Sequence, residues 1–204
     1  MAISFIGAGA VQVGSNPTVP VPTGYAAGDY LIIFSTSGLN NTVPSGWTTI
    51  QSTTSQIMCC YKVATASESS VVMTVSNTSS ETVMLCYRGV SSFDLVSTVN
   101  TTTGTTLATN TITTTASNDL VISYYSSNTV STGTWTAPAS TTSRVSIGQS
   151  GANRGILIVD EIQIAAGIST ARTATNSASA GLWSLAFALK PTVAINTSNF
   201  FRMF

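Results

Sequence analysis

Two aspartates and two tryptophans occupy matching places along this sequence, and their chemistry is the most suggestive of a binding site. Asp29 and Asp119 each precede an apolar segment, and Trp47 and Trp135 each follow a polar loop that contains glycine. Paired carboxylates can hold a cation, and flat aromatic rings on loops can stack on sugars. However, such aspartates commonly accept backbone hydrogen bonds in turns, and tryptophan is usually mostly buried. We therefore predict turn aspartates and core-capping tryptophans, with glycan contacts at Trp47 and Trp135 as the alternative.

The residues that usually carry catalysis or metal binding are missing or badly placed. The chain has no histidine, which removes the commonest general base and metal ligand. Asp160 and Glu161 are adjacent, so on a strand their side chains point to opposite faces. The Gly-x-Gly at 7–9 leads into a proline-rich segment and not into a helix, so it is no dinucleotide fingerprint. The sequence predicts a protein that is not an enzyme, with no cofactor and no metal site.

Composition indicates a folded β protein with an electrically neutral surface. Of 204 residues, 34 are threonine and 30 are serine, whereas seven basic and seven acidic side chains leave no net charge. Threonine suits strands, and an apolar content of 43% is too high for a disordered chain. The basic residues are scattered, which argues against nucleic-acid binding. Near-zero net charge promotes association, which is typical of a protein that works inside an assembly.

Cysteine usage and the first residues indicate where the protein is made. Cys59, Cys60 and Cys86 are an odd number and therefore do not form a disulfide framework. We predict buried free thiols in a protein made in a reducing cytoplasm. The first residues lack the positive region of a signal peptide, and no segment approaches the length of a membrane span. The sequence therefore predicts no membrane partner.

Two similar blocks of short strands, at residues 25–90 and 115–190, organise the chain. In each block an apolar segment follows the aspartate, and two further apolar segments follow the tryptophan. The apolar run at 30–34 predicts a strand that is buried on both faces. Turn signals separate the strands by about ten residues, as in sandwiches and barrels. We predict an all-β fold, a jelly-roll-like antiparallel β-sandwich of about eight strands built from two similar halves.

A threonine-rich connection at 90–118 joins the two blocks. Threonines alternate there with apolar residues, as in a strand with one exposed face. We predict strands at 93–99 and 109–114 within this connection, and no long helix anywhere in the chain.

Segments on either side of the repeat are the predicted contact arms. The predicted division is an N-terminal arm at 1–22, a sandwich domain at 23–191 and a tail at 192–204. Prolines at 17, 20 and 22 keep the first arm out of the centre of a sheet. The predicted partner contacts are Ile3, Phe5, Phe200, Phe201, Met203 and Phe204. Exposed apolar clusters mark contact sites, although the tail would also leave water by folding back on its own domain.

Several short motifs carry a resemblance to a known group of proteins. They are Ala-Gly-Asp-Tyr-Leu-Ile at 27–32, Val-Pro-Ser-Gly-Trp-Thr at 43–48, Tyr-Lys-Val-Ala at 61–64 and Cys-Tyr-Arg-Gly-Val at 86–90. Over roughly residues 25–190 the chain resembles a jelly-roll-like group of bacteriophage structural proteins and phage-associated β-sandwich domains.

The resemblance implies a non-enzymatic protein of the virion surface. We expect a capsid decoration, or cement, protein that stabilises the shell by binding the major capsid protein or other virion proteins. It would also bind its own copies, with a trimer as one expected oligomer. The alternative is a receptor- or glycan-binding module of a tail or fibre.

Overall fold

The structure contains β-strands and no helix in the part of the chain that it describes. This computed structural model describes residues 2–53, 56–128 and 132–193. Its antiparallel sheets pack as a sandwich, so the prediction of an all-β sandwich is confirmed. None of the described segments is a helix long and apolar enough to cross a membrane.

The strands divide between the two halves of the chain. Those of the first half are β1 (Ser4–Ala8), β2 (Gln12–Val13), β3 (Thr18–Val19), β4 (Tyr30–Thr36), β5 (Asn41–Thr42), β6 (Thr48–Ser52), β7 (Ile57–Val63), β8 (Val71–Val72), β9 (Thr74–Val75) and β10 (Glu81–Arg88). Those of the second half are β11 (Val90–Val96), β12 (Asn100–Ala108), β13 (Thr113–Thr114), β14 (Asp119–Ser127), β15 (Trp135–Thr136), β16 (Thr142–Ile147), β17 (Gly155–Gln163), β18 (Gly167–Ile168) and β19 (Thr173–Pro191).

Each half of the chain forms one large sheet, and the five main strands of the two large sheets follow the same order. The first sheet runs β1-β10-β4-β7-β6, and the second runs β11-β19-β14-β17-β16. The central strand is β4, between β10 and β7, in the first sheet and β14, between β19 and β17, in the second. The repeat that the sequence shows is a repeat of topology, and it begins at β1 and not at residue 25.

The short strands repeat as well. In the first half β3 pairs with β8 and β5 pairs with β9, and in the second half β13 pairs with β18 and β15 pairs with the start of β19. The edge strands β6 and β16 even share a bulge, between Thr49 and Gln51 in one and between Ser143 and Val145 in the other. The halves are thus two copies of one supersecondary unit.

Three layers of apolar contact bury the two central strands on both faces. The largest cluster lies between the sheets and includes Phe34, Tyr87, Tyr124 and Phe187. Separate clusters cover the outer face of each sheet, where the connecting segments pack. All residues of β4 and β14 are consequently buried, which confirms the prediction for 30–34.

A single glycine joins the halves. Gly89 lies between β10 and β11 with a φ of 82°, in the left-handed region that favours glycine. A Cβ atom built there would lie 2.8 Å from the backbone oxygen of Ala2. The close approach of Ala2 and the turn between the sheets both require a residue without a side chain.

The prediction of an N-terminal arm at 1–22 is wrong for the described part of that segment. Strand β1 is the edge strand of the first sheet and pairs with β10. Ile3 is 8% exposed within the core between the sheets, and Phe5 packs against the same cluster. Val19, from the proline-rich stretch, is fully buried on the outer face of the first sheet. The segment completes the fold because β1 corresponds to β11 of the second half.

The threonine-rich connection differs from its prediction. Its longest strand is β12, at a place between the two predicted strands, and it pairs with β19. Strand β11 covers much of the predicted strand at 93–99, and the two residues of β13 lie at the end of the predicted strand at 109–114. A run of threonines carries little contrast between its two faces, so the pattern places the strands poorly.

The two main sheets of the described chain contain six and seven strands, more than the eight predicted in total. Jelly-roll connectivity stays a prediction. What the strand order establishes is two copies of a five-stranded pattern, with consecutive strands of each half kept within one sheet.

Replacing Ile3 with alanine tests whether the first residues belong to the core. We expect I3A to lower the free energy of unfolding by about 2–4 kcal/mol, because it removes a buried side chain between the sheets. The matched control is V13A in β2, whose side chain is 48% exposed, and its cost should stay below about 1 kcal/mol. Urea unfolding measures both. An I3A variant as stable as V13A would contradict this position for Ile3.

Alanine at Gly89 tests the junction between the halves. Gly28 has a φ of 89° but no atom within 4 Å of a built Cβ, so G28A carries only the cost of the left-handed conformation, about 1–2 kcal/mol. We expect G89A to cost clearly more, since its Cβ also meets the Ala2 backbone. Thermal or urea unfolding of the two variants gives the comparison, and equal costs would contradict the crowding at Gly89.

Candidate functional site

The sandwich has two dissimilar ends. The central strands β4 and β14 finish at the loop end, where the hydroxyls of Thr36 and Ser126 are hydrogen-bonded to each other. The same strands begin at the opposite end, which also holds Ile3 and Val193, close to the first and last described residues. We call this second end the groove end because two connected depressions lie there.

The first depression is an apolar groove of about 470 Å³. Ala2, Ile3, Ile162, Pro191 and Val193 line much of it. Ile162 is 50% exposed and Val193 is 86% exposed. Single apolar residues are often this exposed on a protein surface, but a group of large ones side by side is uncommon. Ile164 is 78% exposed. Its carbonyl accepts a hydrogen bond from the amide of Asn118, a residue of the groove lining, so Ile164 lies beside the groove.

A polar depression of about 350 Å³ shares Ile3 and Ile162 with the groove and continues it. Its main group is Asp160, which is buried between the sheets. The carboxylate accepts hydrogen bonds from the Tyr87 hydroxyl at 3.0 Å and from Nε of Arg144 at 2.7 Å. Burial raises the pKa of Tyr87 well above its usual value, and the Asp160 charge raises it further. Tyr87 therefore stays a hydrogen-bond donor and not a base.

Glu161 follows Asp160 but belongs to a different ion pair. Nε of Arg172 donates to Oε1 of Glu161 at 2.7 Å, and Nη2 donates to the other carboxylate oxygen. Each carboxylate is thus held by its own arginine, as expected for adjacent residues on opposite faces of a strand. This arrangement has no carboxylate couple for acid–base chemistry and serves to neutralise charge.

The two predicted turn aspartates behave as expected. Asp29 accepts a hydrogen bond from the Ala26 amide at 2.7 Å, and Asp119 accepts one from the Ala116 amide at 3.2 Å. Burial alone would raise the pKa of Asp29, but the hydrogen bonds and charge of Arg88 lower it. Burial raises the pKa of Asp119. Both turn roles are confirmed.

The tryptophans are not equivalent to each other, contrary to the sequence prediction. Trp135 lies in β15, which corresponds to β5, whereas Trp47 directly precedes β6. Trp135 is 8% exposed and packs against Tyr125 with ring centroids 6.1 Å apart, so it caps the core and offers no ring face to a sugar. Trp47 is half-buried against the outer cluster of the first sheet. The loops before Trp47 and Trp135 are similar in composition, but the two tryptophans occupy different positions in the strand order.

Buried polar groups at the loop end were missed by the sequence prediction. Glu81 is 2% exposed, and burial raises its pKa to about 8. Its Oε2 atom, the Tyr124 hydroxyl and Nε of Arg154 have no hydrogen-bond partner within the described residues. A signal was present in the sequence, because Glu81 has the same strand parity as Val83, which faces the other sheet.

The three cysteines and the residue types that bind metals were compared with their predictions. Cys59, Cys60 and Cys86 are free and buried, which confirms that prediction, and burial raises the pKa of each thiol. Across residues 2–53, 56–128 and 132–193 no three His, Cys, Asp or Glu side chains come together to hold a metal ion.

The predicted partner contacts fall into two groups. Ile3 and Phe5 belong to the core, and the Phe5 ring lies 4.6 Å from the guanidinium carbon of Arg144. Both residues still line the depressions of the groove end. The other predicted contacts lie outside the described residues and are Phe200, Phe201, Met203 and Phe204.

No known protein family matches this sequence, and no curated protein or solved structure is detectably similar to it.

Replacing Glu81 with glutamine tests the buried carboxyl group. Because its pKa rises from 4.5 to about 8 on folding, the folded protein keeps a proton that the unfolded chain releases. The wild-type free energy of unfolding should therefore fall as pH rises through this window, by up to about 1.4 kcal/mol per pH unit. In E81Q this fall should disappear, as denaturant unfolding near pH 5 and near pH 8 would measure.

Glu68 provides the matched control, because its pKa shifts in the opposite direction. Burial alone would raise that pKa, but hydrogen bonds from Lys62 and Thr65 lower it. Its stabilising contribution is present at neutral pH and is lost in acid. E68Q should therefore lose stability at neutral pH and keep the wild-type fall between pH 5 and pH 8. A wild-type protein without that fall would contradict the environment assigned to Glu81.

Proposed function

We propose that this protein is a non-enzymatic structural component of a bacteriophage particle, a capsid decoration protein that binds the outside of the shell. It stabilises the shell by contacting the major capsid protein or its own neighbouring copies. The groove end is the contact surface in this proposal, together with the adjoining tail.

The exposed apolar surface of the groove end carries the proposal. Ile162, Ile164 and Val193 are each at least half exposed and lie beside one groove. Grouped apolar residues of this kind mark protein–protein contact sites, since their burial against a partner is the main favourable contribution to association. A protein partner is therefore the ligand that this surface fits best.

The charge distribution supports the same conclusion. Five acid–base pairs use ten of the fourteen charged side chains. Of the others, Glu81, Asp119 and Arg154 are buried, and Arg202 lies outside the described residues. The described surface thus has no unpaired exposed charge, so little electrostatic repulsion opposes close packing against neighbours.

The resemblance of residues 25–190 to phage β-sandwich domains supplies the virion setting. Attachment to a capsid lattice requires many shallow contacts with identical subunits, for which a neutral, apolar surface is suited. The alternative glycan-binding role has weaker support, because of its two predicted contacts Trp135 is buried and Trp47 is half-buried.

Charged substitutions in the groove end test the proposed contact. We expect the double variant I162E/I164E, and separately a chain lacking residues 195–204, to fold normally but to be lost from purified particles. The matched control is I147E, since Ile147 is also an exposed isoleucine but lies in β16 towards the loop end. Quantitative mass spectrometry of particles gives copies per virion, and circular dichroism of the free proteins checks folding.

The copy number of the wild-type protein separates the two virion roles. Decoration predicts copies comparable in number with the capsid subunits, whereas a tail or fibre role predicts only a few. Absence of the wild-type protein from particles, or normal incorporation of both folded variants, would contradict the proposal.

A further inference from the structure

We propose that Lys190 and Asp94 are a site of covalent self-modification, at which the lysine amine and the aspartate carboxyl group condense to an amide while Asp119 supplies an assisting proton. The product is a cross-link between the first and last strands of the second half of the chain. This inference concerns the chain by itself and does not depend on the virion role.

Three adjacent strands bring these side chains together. Strands β11, β19 and β14 are neighbours in that order, and Lys190 lies on the middle one. Asp94 lies in β11, where the pairing with β19 is irregular, and its Oδ1 atom is 3.1 Å from Nζ of Lys190. Asp119 begins β14, and the strand register places it opposite Lys190. The amine is therefore flanked by a carboxyl group on each neighbouring strand.

The two carboxyl groups have unequal environments. Burial alone would raise the pKa of Asp94, but hydrogen bonds from Thr115, Lys190 and Asp119 lower it. Asp119 is fully buried, and this burial raises its pKa, as do the hydrogen bond and charge of Asp94. Oδ1 of Asp119 accepts no hydrogen bond from the described residues, which leaves this atom to carry a proton. Asp119 therefore acts as an acid beside the ionised carboxyl group of Asp94.

The first half of the chain has an ordinary ion pair at the same place. The register puts Asp29 and Arg88 at the positions of Asp119 and Lys190, and Nη2 of Arg88 lies 2.7 Å from Oδ2 of Asp29. Strand β1, which corresponds to β11, has no acidic residue. An arginine side chain stays charged in proteins, whereas a lysine can become a neutral amine. The second half thus combines a nucleophile with two carboxyl groups where the first half has a simple pair.

The condensation is balanced within the ion pair itself. One proton passes from the Lys190 ammonium to the Asp94 carboxylate, and the neutral amine attacks Cγ of Asp94 to form the new C–N bond. A C–O bond then breaks, and the departing oxygen leaves as water with that proton and a second one from the nitrogen. An ammonium and a carboxylate become one amide and one water, so no oxidant, reductant or further reactant is needed.

Hydrogen bonds to Asp94 assist the attack. The Thr115 amide donates to Oδ2 of Asp94 at 2.9 Å, and the Thr115 hydroxyl donates to Oδ1 at 2.8 Å. Negative charge builds up on the carboxyl oxygens as the amine adds, and donors already in place stabilise it. The proton of Asp119 acts in the same direction. Burial also favours the product, because the Asp94 side chain is only 4% exposed and an amide removes two charges from a site where hydration is poor.

Tryptic peptides of the purified wild-type protein test the cross-link. Trypsin does not cut at Lys190, since Pro191 follows, so Asp94 and Lys190 lie in the peptides 89–144 and 173–202. We expect mass spectrometry to find these two peptides as one species, lighter than their sum by the mass of one water molecule.

Lys62 is the internal control. Its Nζ atom lies 2.7 Å from Oε2 of Glu68, closer than the proposed pair, and the other described hydrogen bonds to Glu68 come from Thr65. This pair has a carboxylate and an amine but no neighbouring acid such as Asp119. Trypsin should therefore cut after Lys62 in the ordinary way, which requires a free amine.

Two variants separate the cross-link from the ion pair. K190R keeps the charge but cannot condense, and D119N keeps a hydrogen-bonding side chain without the acidic proton. We expect both to fold, as circular dichroism checks, and to give the two peptides separately. K190R should also unfold about 10 °C below the wild type, because a cross-link that spans most of the second half restricts the unfolded chain.

Two results would overturn the proposal. One is a folded wild-type protein that yields the two peptides separately, as K190R does. The other is a D119N variant that is linked as fully as the wild type.

Discussion

The rest of the structure depends on the burial of apolar side chains between the two sheets. Phe34 of β4 contacts Tyr124 of β14 and Phe187 of β19, with ring centroids 5.3 and 6.0 Å apart. These residues come from different halves of the chain, so neither sheet can cover its inner face alone. The connecting segments cover the outer faces, and as a result the central strands meet no water on either side. The two similar halves thus share one core that only the pair can close.

The two halves differ where the core reaches the groove end, and Asp160 of the polar depression lies at one of the differing positions. Opposite Ile32 the first half has Tyr61, which stacks with Phe93 at a centroid distance of 5.9 Å. Opposite Ile122, the matching position, the second half has Asp160 with its hydrogen bonds to Tyr87 and Arg144. One side of the groove end is closed by aromatic packing. The other contains the ion pair of Asp160 and Arg144, and both residues line the polar depression.

The sequence predicts the fold class and the two halves well, because apolar runs and turn residues report directly on buried central strands. It fails where a residue's environment depends on a distant segment. The sequence of β1 looks like an arm because its pairing with distant β10 is not visible locally, and the threonines of β12 carry too little contrast between faces to predict the pairing with β19. Trp47 and Trp135 share loop chemistry, but only strand pairing reveals that they occupy different positions. The groove is lined by segments that are far apart in sequence, so no local sequence pattern predicts it.

Internal neutralisation of charge has a consequence for how this protein selects partners. Since the described charges are paired or buried, no long-range field steers a partner towards the groove end, and salt should affect association little. Recognition then rests on shape and apolar contact, which act only at close range. Such a surface is effective where partners are already concentrated and regularly spaced, as on an assembled shell. Elsewhere it would favour unspecific association, because close-range apolar contact alone discriminates weakly between partners.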